Sequence, residues 1–234
     1  MSKKFVIAAA VAIWVACTPA AGGIITATFL GVSPSQAVHI SDGSGPGLSI
    51  NTLAGIFNLQ IQPGTTYAGL GAVGDTFAAF CIDLGNTIAQ NQTYTWNVVE
   101  PTDAPDPSVY SDGPVSAAEL LSLQKLVGAN PISSLTTGAL AAAFQAAVWE
   151  IVNESGSIYD VTAGNFIASG GLNTTLANQM LTASASYTGP LPELMALTNP
   201  GVQDLLVIIP EPASVATLGA GMGVLALRWN RRRR

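Results

Sequence analysis

Two side chains in this sequence bring reactive chemistry into settings that need explaining, Cys81 and Gln145. The only other cysteine, Cys17, falls in an N-terminal segment read below as a removable leader. Cys81 is then the single thiol of an exported chain, where oxidising conditions favour pairing. Such a residue is a small buried hydrophobe, half of an intermolecular disulfide, or a nucleophile. Gln145 stands in the most apolar stretch of a predicted helix, with Ala141 and Ala142 one turn before it and Val148 and Trp149 one turn after. A carboxamide buried there costs free energy unless its polar atoms are satisfied. Other chemistry has little support. His39 is the only histidine, so a His-containing metal cluster is not expected. A triad built on His39 with Asp83 or Asp42 lacks any nucleophile elbow. The acids between Asp103 and Asp112 do not follow the spacing of a calcium loop and read as a solvated acidic loop. No enzyme activity, cofactor or metal is expected.

The order Phe80-Cys81, then Gln145-Ala146-Ala147-Val148-Trp149, is similar to the thioester domains of bacterial surface proteins. Their signature is an aromatic-Cys pair and a later Thr-Gln-x-Ala-aliphatic-Trp. Here Phe144 stands in place of the threonine, and the family is best known from Gram-positive adhesins. The resemblance implies that the Cys81 sulfur joins the Gln145 side-chain carbonyl with release of ammonia. The resulting bond acylates a nucleophile on a target surface. Primary amides resist thiols in water, so the fold has to hold sulfur against carbonyl at high effective molarity. Phe80, Phe144 and Trp149 are the residues suited to shielding such a bond from water. No basic residue lies nearby in sequence to lower the thiol pKa. The alternative is a passive matrix protein of the same fold without covalent chemistry.

These residues have to be positioned by a mixed fold. Ile24 to Val32, Leu53 to Ile61, Thr76 to Leu84, Thr93 to Val99 and Val202 to Ile209 read as strands. In the second of these, Phe57, Leu59 and Ile61 alternate with Asn58, Gln60 and Gln62, the period of a half-buried strand. Ser116-Ala117-Ala118-Glu119 is a capping box that opens a helix through about Val127. Thr136 or Thr137 caps a second helix through about Asn153, and a third runs from Thr174 to Ala185. The expected class is α+β, a mostly antiparallel β-sheet or sandwich with a helical insertion.

Charge divides the 234-residue chain into three. Of eight lysines and arginines, seven lie at the ends, and Lys125 is the only one between Gly22 and Ile209. Thirteen acids against that one lysine give the middle a net charge of −12. An acidic domain with no basic face is not a nucleic-acid binder. A mean hydropathy of +0.43 excludes disorder. Lys3 and Lys4, the apolar run Phe5 to Ala16 and the small residues to Ala21 form a signal peptide over residues 1–21. The passenger occupies 22–209. Over 210–234, Pro210-Glu211-Pro212 precedes an apolar segment, Ala213 to Trp229, and then Arg231, Arg232, Arg233 and Arg234. The prolines break the chain from the domain, the segment is just long enough for a short transmembrane helix, and the arginines stay cytoplasmic. This three-part tail resembles the PEP-CTERM sorting signal of exported Gram-negative proteins. The resemblance implies exosortase processing at the inner membrane and delivery to the cell surface or an exopolysaccharide matrix.

Overall fold

Alternating strands and one almost wholly buried helix organise the passenger. A computed structural model describes residues 22–43, 47–104, 114–154 and 158–210. The proposed leader, and the sorting signal beyond Pro210, lie outside the described residues. Among those described, no helix is long and apolar enough to cross a membrane.

The strands are β1 (Ile24–Asp42), β2 (Ser49–Ile61), β3 (Thr76–Cys81), β4 (Thr93–Val99), β5 (Phe166–Gly170), β6 (Leu194–Asn199) and β7 (Val202–Ile208). The helices are α1 (Ala117–Ala129), α2 (Gly138–Asn153) and α3 (Thr174–Ala185), so the α+β class holds. All strand pairs are antiparallel, in the order β2-β3-β7-β6-β4-β1-β5. Because β1 also pairs with β2, six strands close on themselves and β5 extends the far half of β1. The arrangement is one closed sheet, which corrects the sandwich alternative; closure pairs strand edges that an open sheet would leave without partners. β1 makes closure possible by being long. Ile24–Thr28 pairs with β4, Val38–Asp42 pairs with β5, and Ala27–Ser41 runs against β2. Two register shifts, at Phe29/Gly31 and Val32/Ser35, bend it between these duties.

α2 is buried from Ala141 to Asn153. A helix apolar on every side belongs in the interior. It lies between strands β1, β2, β3 and β5 and the outer helices α1 and α3. Its start is fixed twice. Thr137 Oγ1 accepts the Leu140 N–H at 3.2 Å as N-cap. At Gly138, a Cβ would stand 2.4 Å from the Ser35 carbonyl oxygen, so only glycine lets α2 begin against the bend in β1. α1 opens on the predicted capping box, with the Ser116 N–H donating to Glu119 Oε2 and the Glu119 N–H to Ser116 Oγ. In β2, Phe57, Leu59 and Ile61 are buried, as the alternation requires. β3 is shorter than expected: it ends at Cys81, and buried Ile82, Asp83 and Leu84 follow as irregular chain.

Candidate functional site at the end of strand β3

Cys81 ends β3 at the place where its neighbour leaves. Phe57 of β2 pairs with Ala79, a register that would continue with Gly55 opposite Cys81. The β2–β3 ladder stops at the Phe57–Ala79 pair, while β2 continues only beside β1, where Gly55 is opposite Ser35. On the other side β3 stays paired, Cys81 with Leu205 of β7. The Cys81 N–H and C=O therefore point into a gap, and buried peptide groups need partners. Gln145 supplies both. Its Oε1 accepts the Cys81 N–H at 3.0 Å, and its Nε2 donates to the Cys81 carbonyl at 2.8 Å. The carboxamide of α2 thus acts as a missing rung of the ladder. Both residues are fully buried. The thiol and the amide that sequence reasoning singled out are brought together.

The sulfur itself is held by other groups. The Cys81 thiol donates to the Asp83 carbonyl at 3.0 Å. Gln203 of β7 donates its Nε2–H to the sulfur at 2.9 Å and to the same carbonyl at 3.2 Å. The buried Trp149 indole N–H has no acceptor in good hydrogen-bonding geometry, yet it lies close enough to the sulfur to favour the thiolate. Burial dominates all the same and pushes the Cys81 thiol up to about 12, with Trp149 and Gln203 pulling against it. The resting thiol is neutral. The Asp83 side chain pins the chain beyond the thiol, accepting the Gly85 and Asn86 N–H groups and the Asn86 amide. Asp204, next to Gln203, is raised to about 7 by burial and by the Asp83 charge.

Aromatic rings surround the junction. Phe80 and Phe144 meet with centroids 4.6 Å apart, and both are fully buried. Trp149 is 1% exposed and leans on Phe166 at 6.3 Å. A cavity of about 330 Å³ approaches from the β2 side, lined by Phe29, Phe57, Leu84, Asn86, Trp149 and Gln203 among others.

The remaining candidates fall elsewhere. His39 Nδ1 lies 3.2 Å from Asn51 Oδ1 across the β1–β2 ladder. Among the described residues, no group of three or more His, Cys, Asp or Glu could hold a metal ion. Pro210 is exposed at the end of the described residues, whereas Glu211, Pro212 and Arg231 to Arg234 lie outside them. Asn153, which like Asn91 and Asn173 opens an Asn-x-Ser/Thr triplet, is buried and donates to the Trp149 carbonyl at 2.7 Å. Gln203 was missed in the sequence. Its partner lies 122 positions away, and a single amide in an apolar strand has no motif around it.

No protein-family model matches this sequence. No curated protein matches it either. Among solved structures, the chain is similar to the N-terminal domain of the Streptococcus pyogenes pilus tip adhesin Cpa. The match has 14% identity and a TM-score of 0.39, and covers 78% of this chain and 99% of that one. A likeness of that size carries no function across.

Proposed function

We propose that this protein is an exported surface or matrix linker whose domain makes an internal thioester between Cys81 and Gln145. It acts once, as an adhesin-like cross-linker, and does not turn over as an enzyme. The observation that carries this reading is the double hydrogen bond of the Gln145 carboxamide to the Cys81 peptide. It sets the amide carbon beside the residue that bears the sulfur, in a site closed by Phe80, Phe144 and Trp149. In the condensation, the Sγ–H and Cδ–Nε2 bonds break and Sγ–Cδ forms. The thiol proton leaves on the amide nitrogen as ammonia. A target amine then attacks Cδ, the C–S bond breaks with its electron pair on sulfur, and a proton from the amine restores the thiol. Gln145 keeps the target, and Cys81 is freed. The tail Pro210-Glu211-Pro212, its apolar segment and its arginines support sorting by an exosortase at the inner membrane. The destination is the cell surface or an exopolysaccharide matrix.

A second reading has its own observation. Gln145 satisfies both Cys81 peptide groups without any reaction, and the thiol proton is directed to Asp83. Those contacts suit a passive matrix domain. Intact mass of the mature protein separates the two. The thioester predicts a deficit of one ammonia, no titratable thiol, and uptake of methylamine at Gln145 with release of one thiol. Cys81→Ala abolishes both the deficit and the uptake. Full sequence mass and a thiol titratable before amine is added would leave the passive reading. The same spectrum reads the sorting: loss of the leader and of everything beyond Pro210-Glu211-Pro212 is expected.

A further inference from the structure

Three polar groups converge on the Cys81 sulfur, and only one of them is needed to bury a neutral thiol. The Asp83 carbonyl accepts the hydrogen bond of the thiol. Gln203 Nε2 brings an N–H donor to an atom that is a weak acceptor while it stays protonated, and the unpartnered Trp149 Nε1 lies close enough to favour charge on it. The Trp149 N–H is otherwise unsatisfied, although the residue is 1% exposed. A buried donor left without a good acceptor destabilises the fold unless some state of the site uses it. Both donors would be fully used if the sulfur carried negative charge. Trp149 and Gln203 also line the cavity that approaches the junction.

We propose that Gln203 and Trp149 form a thiolate cradle, two fixed N–H donors that hold the electron pair on Cys81 Sγ as an acceptor entering by this cavity displaces it. The proposal rests on the thioester reading for its role in acyl transfer. In the opening step, the acceptor nitrogen bonds to Gln145 Cδ while the Cδ–Sγ bond gives both electrons to sulfur. Burial opposes that charge, and among the described residues the one lysine, Lys125, is on the outer helix α1. Preorganised N–H groups aimed at developing charge are the remaining device, as in an oxyanion hole.

The test uses Gln203→Met, which keeps side-chain length and removes the donor, and Trp149→Phe, which keeps a ring. Gln203→Glu, uncharged when protonated, restores a donor and is expected to recover part of the effect in acid. Methylamine is added to the full passenger, and thiol release is followed against pH. Each single variant is expected to retain the ammonia deficit and to open about 10²–10³-fold more slowly, the cost of one lost donor at an oxyanion hole. Opening at the wild-type rate in both variants would overturn the cradle. If the wild-type protein has full sequence mass, the thioester reading fails separately, and its free Cys81 is alkylated with iodoacetamide across pH instead. The cradle then predicts that Gln203→Met moves the rate profile to higher pH. A profile superimposed on wild type would overturn it.

Discussion

Gln145 joins two requirements that normally pull apart, since the atoms that stabilise the fold are the atoms that would react. Its Oε1 and Nε2 satisfy the peptide of Cys81. Gln145→Leu keeps the bulk and removes both partners, leaving a buried N–H and C=O exposed to the full desolvation cost. A loss of about 2–6 kcal/mol is expected, from about 1–3 for each of the two groups, measured by urea unfolding. Cys81→Ala keeps those peptide bonds and loses only a small side chain, so it is expected to cost clearly less. Equal losses would show that the carboxamide is not the structural member of the pair. Cys81 and Gln145 were legible because each is an anomaly against its own neighbours, a thiol without a partner and an amide among alanines. Gln203 was not, because a polar residue in a strand is ordinary until the fold puts a sulfur beside it. The resting protonation of the thiol was also hidden, since burial, which raises it to about 12, is a tertiary quantity.

At the scale of elements, the position of α2 decides whether Gln145 meets the end of β3. Two adjacent substitutions separate helix stability from helix placement. Thr137→Ala removes the N-cap and is expected to cost about 1 kcal/mol while leaving the junction in place. Gly138→Ala adds a Cβ against the Ser35 carbonyl, 2.4 Å away, and forces α2 off β1. Overpacking of this kind costs about 1–3 kcal/mol. It is expected also to lower the fraction of protein that shows the ammonia deficit, which Thr137→Ala leaves unchanged. The helices were well legible: α3 matches residue for residue, and α1 and α2 follow their caps. β4 matches too. β5, β6 and the second half of β1 were missed for physical reasons. Leu194 to Leu197 of β6 is a run of good helix formers with no alternation, buried on every side. β5 is short and ends Ala168-Ser169-Gly170. The second half of β1 carries Ser33-Pro34-Ser35, which reads as a turn, and pairs there through a register shift.

Over the whole molecule, stability is expected to peak in mild acid. Burial raises Glu150 to about 8 and Asp204 to about 7, from ordinary values of 4.5 and 3.8. Both groups hold protons in the fold that the unfolded chain has already lost. Their contribution is complete below the ordinary values and is withdrawn as pH climbs through the raised ones. Asp160 is lowered by its bonds to Thr162 and Asn178, so its contribution is lost in acid, below 3.8. The melting temperature is therefore expected to fall between about pH 5 and pH 8, and Glu150→Gln to flatten that fall; circular dichroism melts at a series of pH values check it. A slope unchanged in the variant would place the titration elsewhere. The closed sheet has a mechanical meaning as well. Under the proposed function a target hangs from Gln145 in α2, and the surface or matrix attachment at the processed C-terminus pulls on β7. The covalent path of the load runs along the rest of α2, β5, α3, β6 and β7, and reaches β3 and β4 only through their ladder bonds to β7 and β6. β7 is gripped on both flanks, by β3 and by β6. Tension from that attachment therefore meets two rows of ladder bonds at once, and the strand bearing the spent cysteine becomes part of the clamp that resists it.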